Sequence, residues 1–280
     1  MTTPTAQTIL LQLTDLHIRE PGRLAYGRIS TAPYLERAVA AIGRLPQRPD
    51  AIVITGDLTD FGRAAEYDHL RALLAPLLST PIYLLPGNHD DRGQLRASFP
   101  DHTYLGTTGF VQYSVPVGPV QLIALDTVLP GASEGRLCAE RLDWLAVQLQ
   151  AHRDRPVVIA MHHPPFTTLI GHMDQIGLLQ GCAELEHLVS QHENVERVVC
   201  GHLHRSIQVR FGGSLACTVP SPAHQVCLDL APDATSAWTL EPPGFALHVQ
   251  PARGRMVTHV AASGRYDGPF PFHDGGQLID

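Results

Sequence analysis

A chain of 280 residues can bury one substantial α/β core, and its formal net charge of −7 argues against non-specific attraction to nucleic acid. All 20 basic residues are arginine, and the absence of lysine excludes a Walker-type phosphate loop, a Schiff base and a pyridoxal attachment. Cys138, Cys182, Cys200, Cys217 and Cys227 are odd in number and lack Cys-x-x-Cys spacing, which fits reduced thiols of a cytoplasmic protein.

Residues 1–7 carry no basic stretch followed by an apolar core, so no signal peptide is expected. No run approaches the ~20 apolar residues of a membrane span. The apolar run 9–13 is predicted as a buried strand that delivers Asp15-Leu16-His17. A glycine-containing loop with Tyr26 follows, and then a helical pattern over 34–45. Residues 51–55 form a second strand ending in Gly56-Asp57, with a helical pattern over 64–78 behind it. Residues 82–85 lead into Gly87-Asn88-His89-Asp90. A third helical pattern covers 139–152, and the strand 157–161 runs into His162-His163-Pro164-Pro165. Residues 166–181 read as an insertion carrying His172, Met173 and Asp174, able to overhang the preceding motifs. A fourth helical pattern spans 183–191, and 198–200 leads into Gly201-His202-Leu203-His204. Beyond a Pro- and Ala-rich stretch at 220–243, residues 245–250 and 256–261 read as a hairpin.

Short apolar runs bounded by Gly and Pro suit strands covered on both faces, and their alternation with helices implies largely parallel α/β sheets. In such sheets ligands bind beyond the carboxyl ends of the strands. All five motifs fall there. Asp15, His17, Asp57, Asn88, one of His162 and His163, His202 and His204 then converge as seven nitrogen and oxygen donors without thiolate. That set suits Mn, Fe, Co or Zn. The Asp57 carboxylate could bridge two ions, and two ions ~3.5–4 Å apart clamp the oxygens of an in-line displacement at phosphorus. His89 cannot easily ligate beside Asn88, because adjacent side chains diverge. It is free to donate to a phosphoryl oxygen or to protonate a departing alkoxide. Asp90 is expected either to orient His89 through a hydrogen bond or to cap the following helical turn.

The series Asp-x-His, Gly-Asp, Gly-Asn-His-Asp, His-His-Pro-Pro and Gly-His-x-His resembles the calcineurin-like metallophosphoesterase superfamily from Leu10 to about Phe272. Leu24-Ala25-Tyr26-Gly27, Met161-His162-His163-Pro164-Pro165, Met173-Asp174, Cys200-Gly201-His202 and Ala223-His224-Gln225-Val226 resemble its bacterial glycerophosphodiesterase branch, with class III cyclic nucleotide phosphodiesterases beside it. The resemblance implies a four-layer α-β-β-α sandwich of two mixed sheets. It places the metallophosphoesterase core at 1–219. Residues 220–280 would complete the second sheet, with a possible cap or oligomerisation hairpin, within one domain. It also implies two metal sites: Asp15, His17, Asp57 and His204 for one ion, and Asp57, Asn88, His162 and His202 for the other. His163 then supports the ligands from behind or is simply packed.

The implied reaction is hydrolysis of a small, glycerophosphodiester-like substrate by a hydroxide generated at the two ions. Asp57 and Asn88 would count as catalytic together with His89. Asn88, His89, Tyr26 and His224 are the candidate substrate contacts. A 3′,5′-cyclic nucleotide is the alternative substrate, and a metal-binding scaffold without turnover is the alternative of another class. By the same resemblance the protein is expected to be a homo-oligomer with no membrane and no nucleic-acid partner.

Overall fold

In chain order the main strands are β1 (Thr8–Leu13), β2 (Ala51–Thr55), β3 (Ile82–Leu85), β4 (Tyr113–Val117), β5 (Val120–Ala124), β6 (Val157–Ala160), β7 (Val195–Cys200), β8 (Ile207–Phe211), β9 (Ser214–Thr218), β10 (Gly244–Gln250) and β11 (Val257–Ala262). The main helices are α1 (Ala32–Ile42), α2 (Ala64–Leu74), α3 (Arg92–Ser98), α4 (Ala139–Ala151) and α5 (Cys182–Ser190), with a single turn at Gly171–Asp174. These come from a computed structural model that describes residues 7–278. Among those residues no helix is long and apolar enough to cross a membrane.

The first sheet has the order β11-β10-β1-β2-β3 and the second β8-β9-β7-β6-β5-β4. Both are mixed. Strands β1, β2 and β3 run parallel, as do β5, β6, β7 and β9, while antiparallel strands finish the edges. The period of two along a strand explains the layering. In the second sheet Leu122, Ala124, Val158, Ala160 and Val199 join one apolar cluster with Leu10, Ala51 and Val53 of the first sheet, the face from which Gln12 reaches Cys200 O. Their neighbours Ile123, Val157, Ile159 and Val198 instead join Leu142, Leu145 and Leu149 of α4 and Leu185 and Val189 of α5. The alternate residues Leu11, Leu13, Ile52 and Ile54 point away from the second sheet, and the cluster continues there through Leu35, Ala38 and Ile42 of α1 and Tyr67, Leu70 and Leu74 of α2. Helices, sheet, sheet and helices therefore stack in four layers. Full burial of each large aliphatic or aromatic side chain here contributes about 1.5–3 kcal/mol.

Three differences from the sequence reading have identifiable causes. Helix α2 stops at Leu74 rather than 78, because Pro76 has no N–H to continue the ladder and the chain tightens into a 3-10 turn at Ala75–Leu77. The short α3 was not anticipated; Asp91 starts it by accepting from Gln94 N at 2.8 Å. The C-terminal hairpin does form, but β10 pairs with β1 (Leu11 opposite Leu247), so it extends the first sheet and not the second. The second sheet ends instead in the hairpins β8–β9, turning at Gly212-Gly213, and β4–β5, turning at Gly118. Residues 220–243 are mostly irregular, with one short ladder between Gln225–Val226 and Trp238–Thr239.

Candidate metal centre

The carboxyl ends of β1, β2 and β3 from one sheet and of β6 and β7 from the other open on a common edge. Among the described residues, the non-glycine residues with positive φ are Asp15, His17, Tyr26, Asp57, Leu169, His202 and His204. Five of these are candidate ligands. A left-handed backbone at a non-glycine residue costs about 1–2 kcal/mol, and such strain concentrates at functional sites. Here it follows from turning each chain sharply at the strand end so that its side chain points back over the sheet edge. The turns are fastened to one another. Asp15 N donates to Gly56 O (3.1 Å) and His17 N to Asp57 O (2.9 Å), while His202 N donates to both oxygens of Asp15 at 2.9 and 3.0 Å. Gly56 and Gly87 are needed for close approach: a Cβ on Gly56 would collide with the His162 ring, and one on Gly87 with the Asp57 carboxylate.

All seven predicted donors come together, in two groups that meet at Asp57. His17 Nε2 is 3.2 Å from His204 Nε2, and His204 Nε2 is 3.6 Å from Asp15 Oδ1. His162 Nε2 is 3.1 Å from Asn88 Oδ1 and 3.2 Å from His202 Nδ1. Asp57 faces both groups, with Oδ2 3.5 Å from His17 Nε2 and Oδ1 3.4 Å from His162 Nε2. Donors bound to one ion at ~2.0–2.2 Å stand about 3–3.6 Å apart, so these spacings fit two transition-metal ions. The outer nitrogens agree with that fit. His17 Nδ1 donates to Asp60 Oδ1 (3.3 Å), His162 Nδ1 to Thr55 O (2.8 Å) and His204 Nδ1 to His224 O (3.0 Å). Each such bond fixes the tautomer that turns the Nε2 lone pair inward.

The electrostatics within the protein are those of a crowded, dry set of charges. Burial raises Asp15 to about 6. Burial would raise Asp57 as well, but the imidazoles of His162, His89 and His17 outweigh it and hold that carboxyl well below its usual range. Burial opposes protonation of His162, yet Asp57 and Asp15 bring it up to about 9. His202 is pushed down to about 3 by burial and by the neighbouring His162, and His204 is lowered by burial and by His224. Among the described residues Asp15 and Asp57 form ion pairs with histidines and with no lysine or arginine, which makes cations the natural complement of this donor set.

His89 sits beside the ligands, close enough for a ring nitrogen to group with His17 and Asp57. Its backbone N–H donates to Asp57 Oδ1 (3.0 Å), its Nδ1 to the Asp60 carbonyl (2.8 Å), and its ring meets the His17 ring edge-on at 4.7 Å. Neither expectation for Asp90 holds. Its carboxylate accepts from Gly87 N, Leu58 N, Thr59 N and Tyr67 Oη at 2.9–3.2 Å, so it ties the Asp57 loop to the Asn88 loop, while Asp91 caps the helix. Its bonds go to these donors, and the Asp60 carbonyl orients the His89 ring instead. His163 is packed against His162 and His202 at 4.8 Å and held by Thr127 Oγ1 (2.7 Å) and Ser133 O (3.1 Å). Tyr26 and His224 meet at 3.2 Å, Oη to Nε2, beside the first group of ligands.

A cavity of about 320 Å³ lies over these groups, bounded by His17, Asp57, Asn88, His89, His202 and His204 on one side. Tyr26, His172, Met173, His224, Ser236 and Trp238 bound it on the other. The insertion at 166–181 does overhang the site through His172, Met173 and Ile176. Asp60 and Trp238 were not anticipated. Asp60 follows Asp57 by three residues in Gly-Asp-Leu-Thr-Asp, a spacing that strand periodicity does not single out, and Trp238 lies in the stretch whose composition marked only a loop.

Residues 9–206 match the model of the family described as calcineurin-like phosphoesterase. The chain is 35% identical over 273 residues to a probable glycerophosphodiester phosphodiesterase of Arcobacter nitrofigilis, covering 97% of this chain and 100% of that one. It is 37% identical over 272 residues to a probable cyclic nucleotide phosphodiesterase of Rhodopseudomonas palustris, covering 95% and 96%. A dimetal phosphatase from Danio rerio shares the fold, with a TM-score of 0.62 at 17% identity over 90% of this chain and 98% of that one. With the family model matched over residues 9–206 and a relative 35% identical over 97% of its length, the chain belongs to the calcineurin-like phosphoesterase family.

Proposed function

We propose that the protein is a binuclear metal-dependent phosphodiesterase that hydrolyses small phosphodiesters, glycerophosphodiesters first among them, to a phosphomonoester and an alcohol. The observation that carries this reading is the Asp57 carboxylate, with one oxygen toward each group of imidazoles. Asp15, His17, Asp57 and His204 would hold one ion, and Asp57, Asn88, His162 and His202 the other, from among Mn, Fe, Co and Zn. When bound, the ions supply Lewis acidity, lowering the pKa of water and offsetting charge on the phosphoryl oxygens.

The chain's own residues do the rest. Asn88 turns its amide toward the phosphoryl group. His89 lies on the cavity side of Asp57, where it stabilises the phosphoryl oxygens or protonates the departing alkoxide. Because its Nδ1–H is held by the Asp60 carbonyl, only the doubly protonated ring has a proton at Nε2 to give. Asp60 pairs with Arg19 at 3.1 Å, which keeps that arrangement in place. Asp90 and His163 support the ligand loops from behind, and Tyr26 and His224 face the alcohol portion of the substrate.

The similarity to a probable cyclic nucleotide phosphodiesterase supports a second substrate reading, 3′,5′-cyclic nucleotides. Five free thiols support a cytoplasmic site of action, and the exposed Tyr266, Phe270 and Phe272 support assembly into a homo-oligomer. The test is metal analysis followed by assay of the manganese-reconstituted protein. Bis(p-nitrophenyl) phosphate, a panel of glycerophosphodiesters, 3′,5′-cyclic AMP and phosphomonoesters are the substrates. Preference for glycerophosphodiesters supports the first reading and preference for the cyclic nucleotide the second. Metal-loaded protein inert toward every diester refutes both.

A further inference from the structure

We propose that Tyr26 and Trp238 form the recognition wall for the leaving alcohol, and that this wall selects a compact quaternary-ammonium alcohol over its neutral or anionic counterparts. The proposal rests on the phosphodiesterase reading of the same site. Tyr26 is the first reason. It has φ +51, so it shares the strained backbone of the candidate ligands without being one, in a loop closed by the Ala25–Ile29 bridge. Such strain persists where surrounding structure enforces a particular side-chain placement. Here the phenol is delivered to the cavity and held against His224.

Trp238 meets it from the other end of the chain. The two rings lie 5.7 Å apart at 33°, and His224 stands 5.5 Å from Trp238. His224 in turn is 4.6 Å from the ring of His204, so the wall begins one ring beyond the metal ligands, where the ester's alcohol would project. The short ladder with Gln225–Val226 fixes the tryptophan in place.

Charge decides the class of alcohol. Although the chain has 20 arginines, none borders the cavity among the described residues. An anionic alcohol would find no counter-charge there. The faces of Trp and Tyr carry the negative lobe of the ring quadrupole and attract a poorly hydrated cation. Met173 and Val226 complete a surroundings that suits methyl groups.

Trp144 is the other tryptophan, so in a W144F background Trp238 is the single emitter. Metal-loaded W144F protein is titrated with choline and with its neutral isostere, 3,3-dimethylbutan-1-ol. Choline is expected to shift the emission and to bind about tenfold more tightly. In kinetics, the choline diester of glycerol phosphate should show a KM about tenfold below that of the dimethylbutyl diester. That ratio should fall to near one in W238A and recover in W238F, at unchanged metal content. Equal binding of the charged and neutral alcohols by W144F overturns the proposal without any variant at the wall, and so does a ratio that survives in W238A. Hydrolysis of bis(p-nitrophenyl) phosphate reports separately on the phosphodiesterase reading, which can fail while the fluorescence titration still decides what the wall binds.

Discussion

Asp57 has one carboxylate and two sets of neighbours, and that asymmetry makes it the most sensitive residue of the site. Replacing it with alanine removes a donor from both groups at once. D57A is therefore expected to retain less than half the metal of the parent and to lose activity by on the order of 10³-fold, the scale seen when a principal electrostatic stabiliser is removed. Metal analysis beside bis(p-nitrophenyl) phosphate turnover checks this, and a variant with full metal and near-native rate contradicts the bridging role. His89 is expected to behave in the opposite way. In H89A metal content stays at the parent level while turnover falls by about 10²–10⁴-fold. The loss should be larger for an alkyl leaving group than for p-nitrophenolate, which departs without a proton. Loss of metal in H89A would make it a ligand rather than a group that touches substrate. Gly87 gives a third outcome at this scale. A methyl there collides with the Asp57 carboxylate, so G87A should lower metal content with no donor removed, as equilibrium dialysis against manganese can show.

Among the elements, β1, β2, β3, β6 and β7 were legible because apolar β-branched runs covered on both faces leave little ambiguity about what they are. Their carboxyl ends then located the donors without any knowledge of pairing. Strand β8 reads as alternating exposed and half-buried residues, β4 contains Pro116, and α3 lasts only seven residues, so none of them carries a comparable local signal. The destination of the C-terminal hairpin was illegible for a different reason: its partner, β1, lies at the opposite end of the chain, and no local pattern announces that pairing. Asp90 shows the same limit for a side chain, since its partners come from a loop some thirty residues away.

Once β10 is beside β1, a buried polar chain becomes possible between the layers. Gln12 donates to Thr55 Oγ1 and to Cys200 O, both at 2.9 Å, and its Oε1 accepts from His248 Nε2 at 3.0 Å. His248 Nδ1 accepts from Thr258 at 2.9 Å. His248 is therefore held neutral, and burial, aided by Arg197, pushes it down to about 3. Below pH 6.5 the unfolded chain takes up a proton that the folded chain refuses. The stabilisation is thus complete above pH 6.5 and fades as pH falls toward 3, with about 2 kcal/mol gone by pH 5. H248Q removes this titration, so urea unfolding at pH 7 and pH 5 should show a pH-dependent loss smaller by about that amount than in the parent. An identical loss in the two proteins would mean that His248 is not the titrating group.

At the scale of the whole molecule, the distribution of exposed apolar side chains is uneven. Tyr266, Phe270 and Phe272 are each 69–80% exposed, and they follow directly on β11, an edge strand of the first sheet whose Val257 and Val260 are also exposed. A monomer rarely keeps aromatic side chains in water at this density, and an unpaired edge beside them is a template for association. The cost is of known size, since each aromatic side chain left in water forgoes about 1.5–3 kcal/mol of burial. Covering three of them against a second copy is of the magnitude that separates a monomer from a micromolar assembly. A chain ending at Ser263 keeps every strand of both sheets and every candidate ligand while losing the aromatic segment. Its mass by light scattering should be smaller than that of the full chain at the same concentration, and its metal content per chain should be the same. If the shortened chain has the same oligomeric state, the segment is not the contact. If it instead loses metal, residues 264–280 support the site itself and the association argument must give way to one about the cavity.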